Sequence, residues 1–267
     1  MTATARARPR RFRVSPRLAY GLVSLLVVAI VWEIAVRAGL VNGQFLAAPS
    51  AALVAGWKLT VSGELLPHAW ASLLEFFWGT LIGVGVGVVL GFAMARWRNV
   101  DAALSPTVWA IYAVPRTAFV PLLLIWFGIG LSSKAAMVFL GVVFPMIANT
   151  YLGVRETDPL AIRSARSFSA NGREVLTKVI LPSSVPYLVD GLRLGTGRGI
   201  VGVIIAELYV SREGIGFLIR QSSLNFQTAT LIFGVALVAA FGIVLSQVLI
   251  AIERRFAGWR QAGRARE

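Results

Sequence analysis

The feature that most restricts this chain is a succession of long, nearly uncharged apolar runs, which only a lipid bilayer can accommodate. Six segments meet the requirement of roughly 17–25 mainly apolar residues for a helical crossing. They are 18–38, 72–95, 105–130, 135–154, 187–210 and 230–252. Apolar and polar residues do not alternate in them, and backbone groups in lipid must be satisfied internally, so helices rather than a barrel are expected. Composition agrees: 57% of the 267 residues are hydrophobic and 14% are charged, against roughly 25% charged in soluble domains. The third segment is the least regular. Pro106, Pro115 and Pro121 interrupt it and Arg116 lies within it, so a short interfacial helix followed by a kinked span is expected there.

Charge sets the expected orientation. Six spans put both termini on one side, so the 1–17 tail, the 96–98 turn, the 155–178 loop and the 254–267 tail share the cytoplasm. Together they carry 18 of the 26 Lys and Arg residues, as the positive-inside bias requires. Arg37, Lys58, Lys134, Arg212 and Arg220 fall on the other side. The run from Leu18 to Val36 is long for a signal peptide and lacks a small-residue cleavage site, so it reads as a retained first span. The net charge of +14 does not indicate nucleic acid, because the arginines separate apolar spans rather than cover one face.

Several chemistries are excluded. There are no cysteines and one histidine, His68, which removes thiolate and multi-histidine metal sites. No phosphate-cradling Gly-x-x-x-x-Gly-Lys-Ser/Thr, nucleophile elbow or His-Glu-x-x-His sequence occurs. The carboxylates are scattered without an acid/base pair. An enzyme is not expected, nor is a cofactor bound by this chain.

Two glycine ladders suggest close helix packing. Gly79, Gly83, Gly87 and Gly91 recur every four residues in the second span, and Gly191, Gly195 and Gly199 do so in the fifth. Residues four apart share a helix face, and small faces let backbones approach in lipid, within the bundle or across a dimer.

One polar interval stands apart. Arg155 to Lys178 holds Arg155, Glu156, Asp158, Arg163, Arg166, Arg173, Glu174 and Lys178. A helix over 161–170 with a small face at Ala161, Ala165 and Ser169 is expected, then a turn at Asn171-Gly172. A second helix over 174–180 should be closed by Pro182 and Pro186 before the fifth span. The residues alone allow a projecting docking element or an amphipathic loop on anionic headgroups. They also leave open a stand-alone secondary transporter with midplane sites.

The order Arg163-Ser164-Ala165, three residues, Ser169, nine residues, Val179-x-Leu181-Pro182 resembles the EAA loop of ABC-importer permeases. That pattern reads Glu-Ala-Ala, three residues, Gly, nine residues, Ile-x-Leu-Pro. Arg163 stands at the Glu position, which varies in the family, and Ser169 at the Gly position. A positive φ is costly for serine, so the turn is expected to shift toward Asn171-Gly172. Further stretches resemble the nitrate/sulfonate/taurine branch: 122–130, Ser133-Lys134, Phe144-Pro145, Asn149-Thr150-Tyr151, Gly153-Val154-Arg155, Pro186-Tyr187, Gly191-Leu192-Arg193, Ala206-Glu207 and Gly214-Ile215-Gly216. The resemblance runs in order over about 70–255.

It implies an all-α membrane protein with six transmembrane helices in a type I ABC-importer bundle, both termini cytoplasmic, in a prokaryotic inner membrane. The permease domain would span 18–253, its family core 70–253 and its coupling loop 155–186. Implied partners are a cytoplasmic ATPase holding ATP and Mg, a second permease copy, an extracytoplasmic substrate-binding protein and the bilayer. Arg163, Ala165, Arg166, Ser169, Ala170, Asn171, Gly172, Arg173, Leu181 and Pro182 would form the ATPase-coupling loop. The solute would be small and anionic, such as nitrate, a sulfonate or taurine. Candidates for the pathway or a gate are Glu207, Arg116, Phe144 and Asn149, with gating or structure favoured for Glu207 because a carboxylate is a poor ligand for an anion. Glu75, near the start of the second span, is expected at the interface.

Overall fold

The computed structural model describes residues 16–256, so the two expected basic tails lie almost wholly outside the described residues. Among these the chain is helical throughout: α1 (Pro16–Arg37), α2 (Pro49–Val61), α3 (Leu65–Arg96), α4 (Arg98–Ala113), α5 (Val120–Phe127), α6 (Leu131–Arg155), α7 (Pro159–Ser167), α8 (Gly172–Val175), α9 (Leu181–Val210), α10 (Ile215–Leu224) and α11 (Thr228–Phe256). Three described helices are each long and apolar enough to cross a membrane: Leu65–Arg96, Leu131–Arg155 and Thr228–Ile252. The 30-residue α9 covers the expected fifth span but carries Asp190, Arg193, Arg198 and Glu207, too many charges for its composition alone to mark it. The 22-residue α1 covers the first expected span.

The third expected span takes a different form. α4 runs as a full helix through Pro106, whose ring falls in a helix that starts eight residues earlier. Val114 then turns extended, with φ −70° and ψ 134°, as the residue before a proline must. A single 3₁₀ turn, Arg116–Phe119, leads into α5. The two arms are bent by 95°, so this stretch is a broken pair rather than an interfacial helix followed by one kinked span. α2 and α10, of 13 and 10 residues, are too short to register as spans and were not foreseen.

The centre is a three-helix stack with α6 in the middle. Gly79, Gly83, Gly87 and Gly91 are all buried on α3. A Cβ on any of them would collide with α6, at Val138, Val142, Met146 and the Ile147 carbonyl in turn. The second ladder closes on α6 from α9: Gly191 lies against Asn149 and Met146, and Gly195 and Gly199 lie against Val142 and Val138. The same three α6 side chains thus fill both grooves. Val138, Val142 and Met146 are at most 1% exposed and join Phe76 and Val203 in one core cluster. Both ladders therefore pack within this chain. Lipid tails are as apolar as the side chains they would replace, so close van der Waals approach is what holds such helices together.

α1 stands aside from this stack, touching α2. Glu33 fixes that contact: one carboxylate oxygen accepts from the Ser50 backbone N–H at 3.0 Å and the other from its hydroxyl at 2.6 Å. α2 begins at Pro49 without a side-chain cap of its own, and Glu33 supplies an acceptor to an otherwise unpaired N–H of the first turn.

Candidate functional site

At one end of the α3–α6–α9 stack the chain projects a compact loop. Asp158 caps α7, its side chain accepting from Leu160 N–H at 2.7 Å, and Pro159 fills the first position, where no N–H is needed. α7 ends after nine residues in a Schellman motif. Ser169 N–H donates to Arg166 O at 2.9 Å and Ala170 N–H to Ala165 O at 3.1 Å. Ser169 itself takes the left-handed conformation, φ 63°. The turn therefore stays at the position where the family pattern has glycine, and does not move to Asn171-Gly172. Asn171 instead caps α8 in a reciprocal capping box: Glu174 N–H donates to Asn171 Oδ1 at 2.9 Å, and Asn171 N–H to Glu174 Oε2 at 3.0 Å. Lys178 pairs with Glu174 at 3.1 Å. The backbone N–H of Asn171, together with Lys178, holds the Glu174 carboxyl below its ordinary range.

The prolines do not close the loop before the expected fifth span. A wide π turn over Leu176–Ile180, in which Leu181 N–H reaches back to Leu176 O, passes straight into α9. Pro182 sits in the first turn of α9 and Pro186 inside it. Loop and span are one continuous helical path. Ala161 and Ala165 are half-buried on the loop's inner side, while Arg163, Arg166, Arg173 and Gly172 face out. Phe168, 87% exposed at the tip, was missed in the sequence because one aromatic in a charged stretch breaks no pattern. Arg155 anchors the base, bonding Asp101 of α4 at 3.1 Å, and Tyr151 bonds the same carboxylate at 3.0 Å.

The opposite end holds a buried polar cluster. Glu207, near the end of α9, is 0% exposed. It accepts from the Ser72 hydroxyl of α3 at 2.5 Å and from Gly216 N–H at 2.6 Å. Gly214 (φ 116°) and Gly216 press so closely on this carboxylate that a Cβ on either would strike it. Ser72 in turn accepts from Ile215 N–H at 2.9 Å, and His68 Nδ1 from Gly214 N–H at 3.2 Å. The Gly214-Ile215-Gly216 loop is thus wrapped around one acid. Beside it Glu75, 1% exposed, forms an ion pair with Lys134, whose ammonium also donates to Ser211 Oγ at 3.0 Å. Glu75 is therefore not interfacial, and Lys134, counted on the outer side as a topogenic charge, is only 7% exposed. Both oxygens of this carboxylate are taken by its own chain, which ties α3, α9 and the loop together.

The other pathway candidates lie elsewhere. Phe144, 8% exposed on α6, stacks at 5.5 Å on Tyr112 of α4. Tyr112 accepts a hydrogen bond from Arg198 of α9, whose guanidinium also lies 5.2 Å from the ring centroid. Arg116 begins the 3₁₀ turn that follows α4, four residues beyond Tyr112. The structure thus brings Phe144 against two residues not singled out beforehand, Tyr112 and Arg198, with Arg116 four residues further along the chain from Tyr112. Asn149 is not among them; its side chain donates to Pro145 O at 2.9 Å and packs against Gly191.

Known proteins share this architecture. A putative aliphatic sulfonates transport permease protein, SsuC of Bacillus subtilis (strain 168), is 29% identical over 242 residues, covering 91% of this chain and 88% of that one. The taurine transport system permease protein TauC of Escherichia coli (strain K12) is 30% identical over 254 residues, covering 93% and 92%. Among solved structures, an inward-facing MetNI methionine ABC transporter matches with TM-score 0.60 at 18% identity, over 72% of this chain and 95% of that one. An amino acid ABC transporter with histidines matches with TM-score 0.58 at 17% identity, over 74% and 96%. The family described as binding-protein-dependent transport system inner membrane component matches residues 83–258. On that match, and on the helical architecture beneath it, this chain belongs to the binding-protein-dependent transport system inner membrane components.

Proposed function

We propose that this chain is the membrane-spanning permease subunit of an ABC importer for a small anionic solute of the sulfonate class. Two copies would form the pathway between them. A separate cytoplasmic ATPase subunit, holding the ATP and Mg, would receive the 155–180 loop, and an extracytoplasmic binding protein would deliver solute at the opposite end. The chain itself has no catalytic task. Both termini and the loop would face the cytoplasm of a prokaryotic cell, with the positive charge of the loop on the inner side.

The observation that carries this reading is the construction of the loop. It is capped at both helices, closed by a Schellman turn, and continuous through the π turn with α9. A push on its tip therefore travels along a helical path into the span rather than being absorbed by a slack connection. Phe168 and Leu160, 87% and 64% exposed, offer apolar contact to a groove, flanked by Arg163, Arg166 and Arg173. As exposed charges the arginines add only about 0–1 kcal/mol each. The sulfonate class is supported by the names of the relatives and by two basic residues within the apolar helices, Arg116 at the α4–α5 bend and Arg198 on α9.

Gly172→Trp tests the docking. Gly172 is exposed, and a Cβ there meets open space, so the loop folds unchanged while its outer face gains an indole. The expected outcome is full membrane insertion with solute-dependent uptake lost and the ATPase no longer co-purified. Uptake at the parental rate in this variant contradicts the docking role.

A further inference from the structure

We propose that Arg116 and Arg198, with the Tyr112 hydroxyl, form an anion-binding step inside the membrane. The step rests on the importer reading and supplies it with a solute contact. Arg198 lies near mid-height of the stack, because its carbonyl packs against Gly141, the eleventh residue of the 25-residue α6. Its guanidinium is spread over Tyr112 and donates to the Tyr112 oxygen. Arg116 opens the 3₁₀ turn at the 95° bend between α4 and α5, four residues beyond the Tyr112 that Arg198 holds. Among the described residues neither arginine forms an ion pair: the four salt bridges involve Arg37, Lys134, Arg155 and Lys178. Two like charges thus flank Tyr112, one bonded to it and one four residues along, and no described carboxylate pairs with either.

Two independent constraints say what must face them. Intramembrane cations turn toward a bundle interior or water, not toward lipid tails. Non-helical backbone at this depth is tolerated only against protein or a water-filled space, and residues 113–115, 117 and 118 at the bend are exposed. A face with an open backbone turn and two unneutralised guanidiniums therefore lines an aqueous path. The missing partner is an anion, and a tetrahedral or planar oxyanion with several acceptor oxygens suits two planar forks. The Tyr112 ring and Phe144 behind it, 5.5 Å apart, leave an apolar wall for a short organic tail. An aliphatic sulfonate fits both halves.

The test uses the permease purified with its ATPase in phosphatidylcholine nanodiscs, with ethanesulfonate as probe and ethyl methyl sulfone as an uncharged control. Ethanesulfonate should raise the melting midpoint of the parent saturably and the sulfone should not. Arg116→Gln and Arg198→Gln should each raise the concentration for half-maximal shift by roughly tenfold or more. Arg116→Lys and Arg198→Lys, which keep the charge and lose the fork, should raise it less. Midpoints without ligand report folding, and the Lys pair carries the test if a Gln variant does not fold. No shift in the parent, or an equal shift in parent and both Gln variants, overturns the site. So does a midpoint that follows added phosphatidylglycerol instead of ethanesulfonate, since the arginines then hold a lipid headgroup. ATP-driven uptake of ethanesulfonate is scored separately in vesicles supplied with the binding protein on the outer side. A saturable shift without uptake removes the importer reading and leaves the site; uptake indifferent to both Gln variants removes the site and leaves the importer.

Discussion

Ser169 shows how a single residue can satisfy a backbone pattern at a cost. The left-handed conformation is disfavoured by about 1–2 kcal/mol for residues with a Cβ, yet Ser169 holds φ 63°. Two Schellman hydrogen bonds and the Asn171 cap on the far side fix the chain there and outweigh the local preference. Ser169→Gly should therefore stabilise the protein by about 1 kcal/mol in thermal unfolding, while Ser169→Val, β-branched at positive φ, should destabilise it by more than that. At the other end, Lys134→Met leaves the Glu75 carboxylate buried without its counter-charge and should cost about 3–5 kcal/mol. The Glu75→Leu/Lys134→Met double variant should recover much of the loss. A double-mutant cycle measures that coupling; independent, additive losses would show that the pair does not act as a unit. Neither burial was legible in the sequence. Glu75 and Lys134 are far apart in the chain, and what puts them together is the registry of α3 on α6, which glycine spacing permits without specifying its height.

Among the elements, legibility followed periodicity. The glycine ladders repeat at helical spacing, and both lie on buried faces; the sequence left open whether they face another copy, and the structure shows each closing on α6. Gly83→Leu should overpack the α3–α6 contact, with the about 1–3 kcal/mol typical of inserted bulk as a lower bound because Val142 and backbone are in the way. Gly85→Ala, two residues along the same helix with open space at its Cβ, should leave yield and melting unchanged. Both substitutions raise helix propensity, so an equal loss from both would contradict a cost specific to the groove. The segment around Pro115 was misjudged because proline marks a break without giving its angle; the 95° bend is set by how α5 packs back onto α6. The cost of serine at positive φ argues in the sequence for a turn at Asn171-Gly172, while the hydrogen bonds that hold the turn at Ser169 exist only in the folded loop. Its capping box makes a pH prediction. Glu174 has a lowered folded-state pKa, so its contribution is present above the ordinary 4.5 and fades as pH falls through the lowered value. Amide exchange over 171–175 should accelerate relative to α9 in that acid range, and Glu174→Gln should remove the acceleration.

For the whole molecule, the two specialised regions sit at opposite ends of the same three helices. The loop leaves α6 and enters α9 at one end, while Glu75, Lys134 and Glu207 tie α3, α6 and α9 at the other. Between them lies the arginine face at the bend. Under the proposed function this arrangement would serve as a lever: force applied at the loop would tilt α9 against α6, with the buried acids at the far end holding the three helices together. Hydropathy made the membrane class plain, and the loop pattern made the family plain. Tyr112, Arg198 and Phe168 escaped notice because each gains meaning only from neighbours distant in sequence. The most direct test exploits the absence of cysteine, which makes any introduced thiol unique in this chain. Phe168→Cys, at the tip of the loop, should crosslink to the ATPase subunit in vesicles that import solute, with a yield that changes as ATP is bound and hydrolysed. Continued ATP-driven import with no crosslink from Phe168→Cys, nor from Arg166→Cys or Arg173→Cys on either side, would contradict the coupling of this loop to the ATPase.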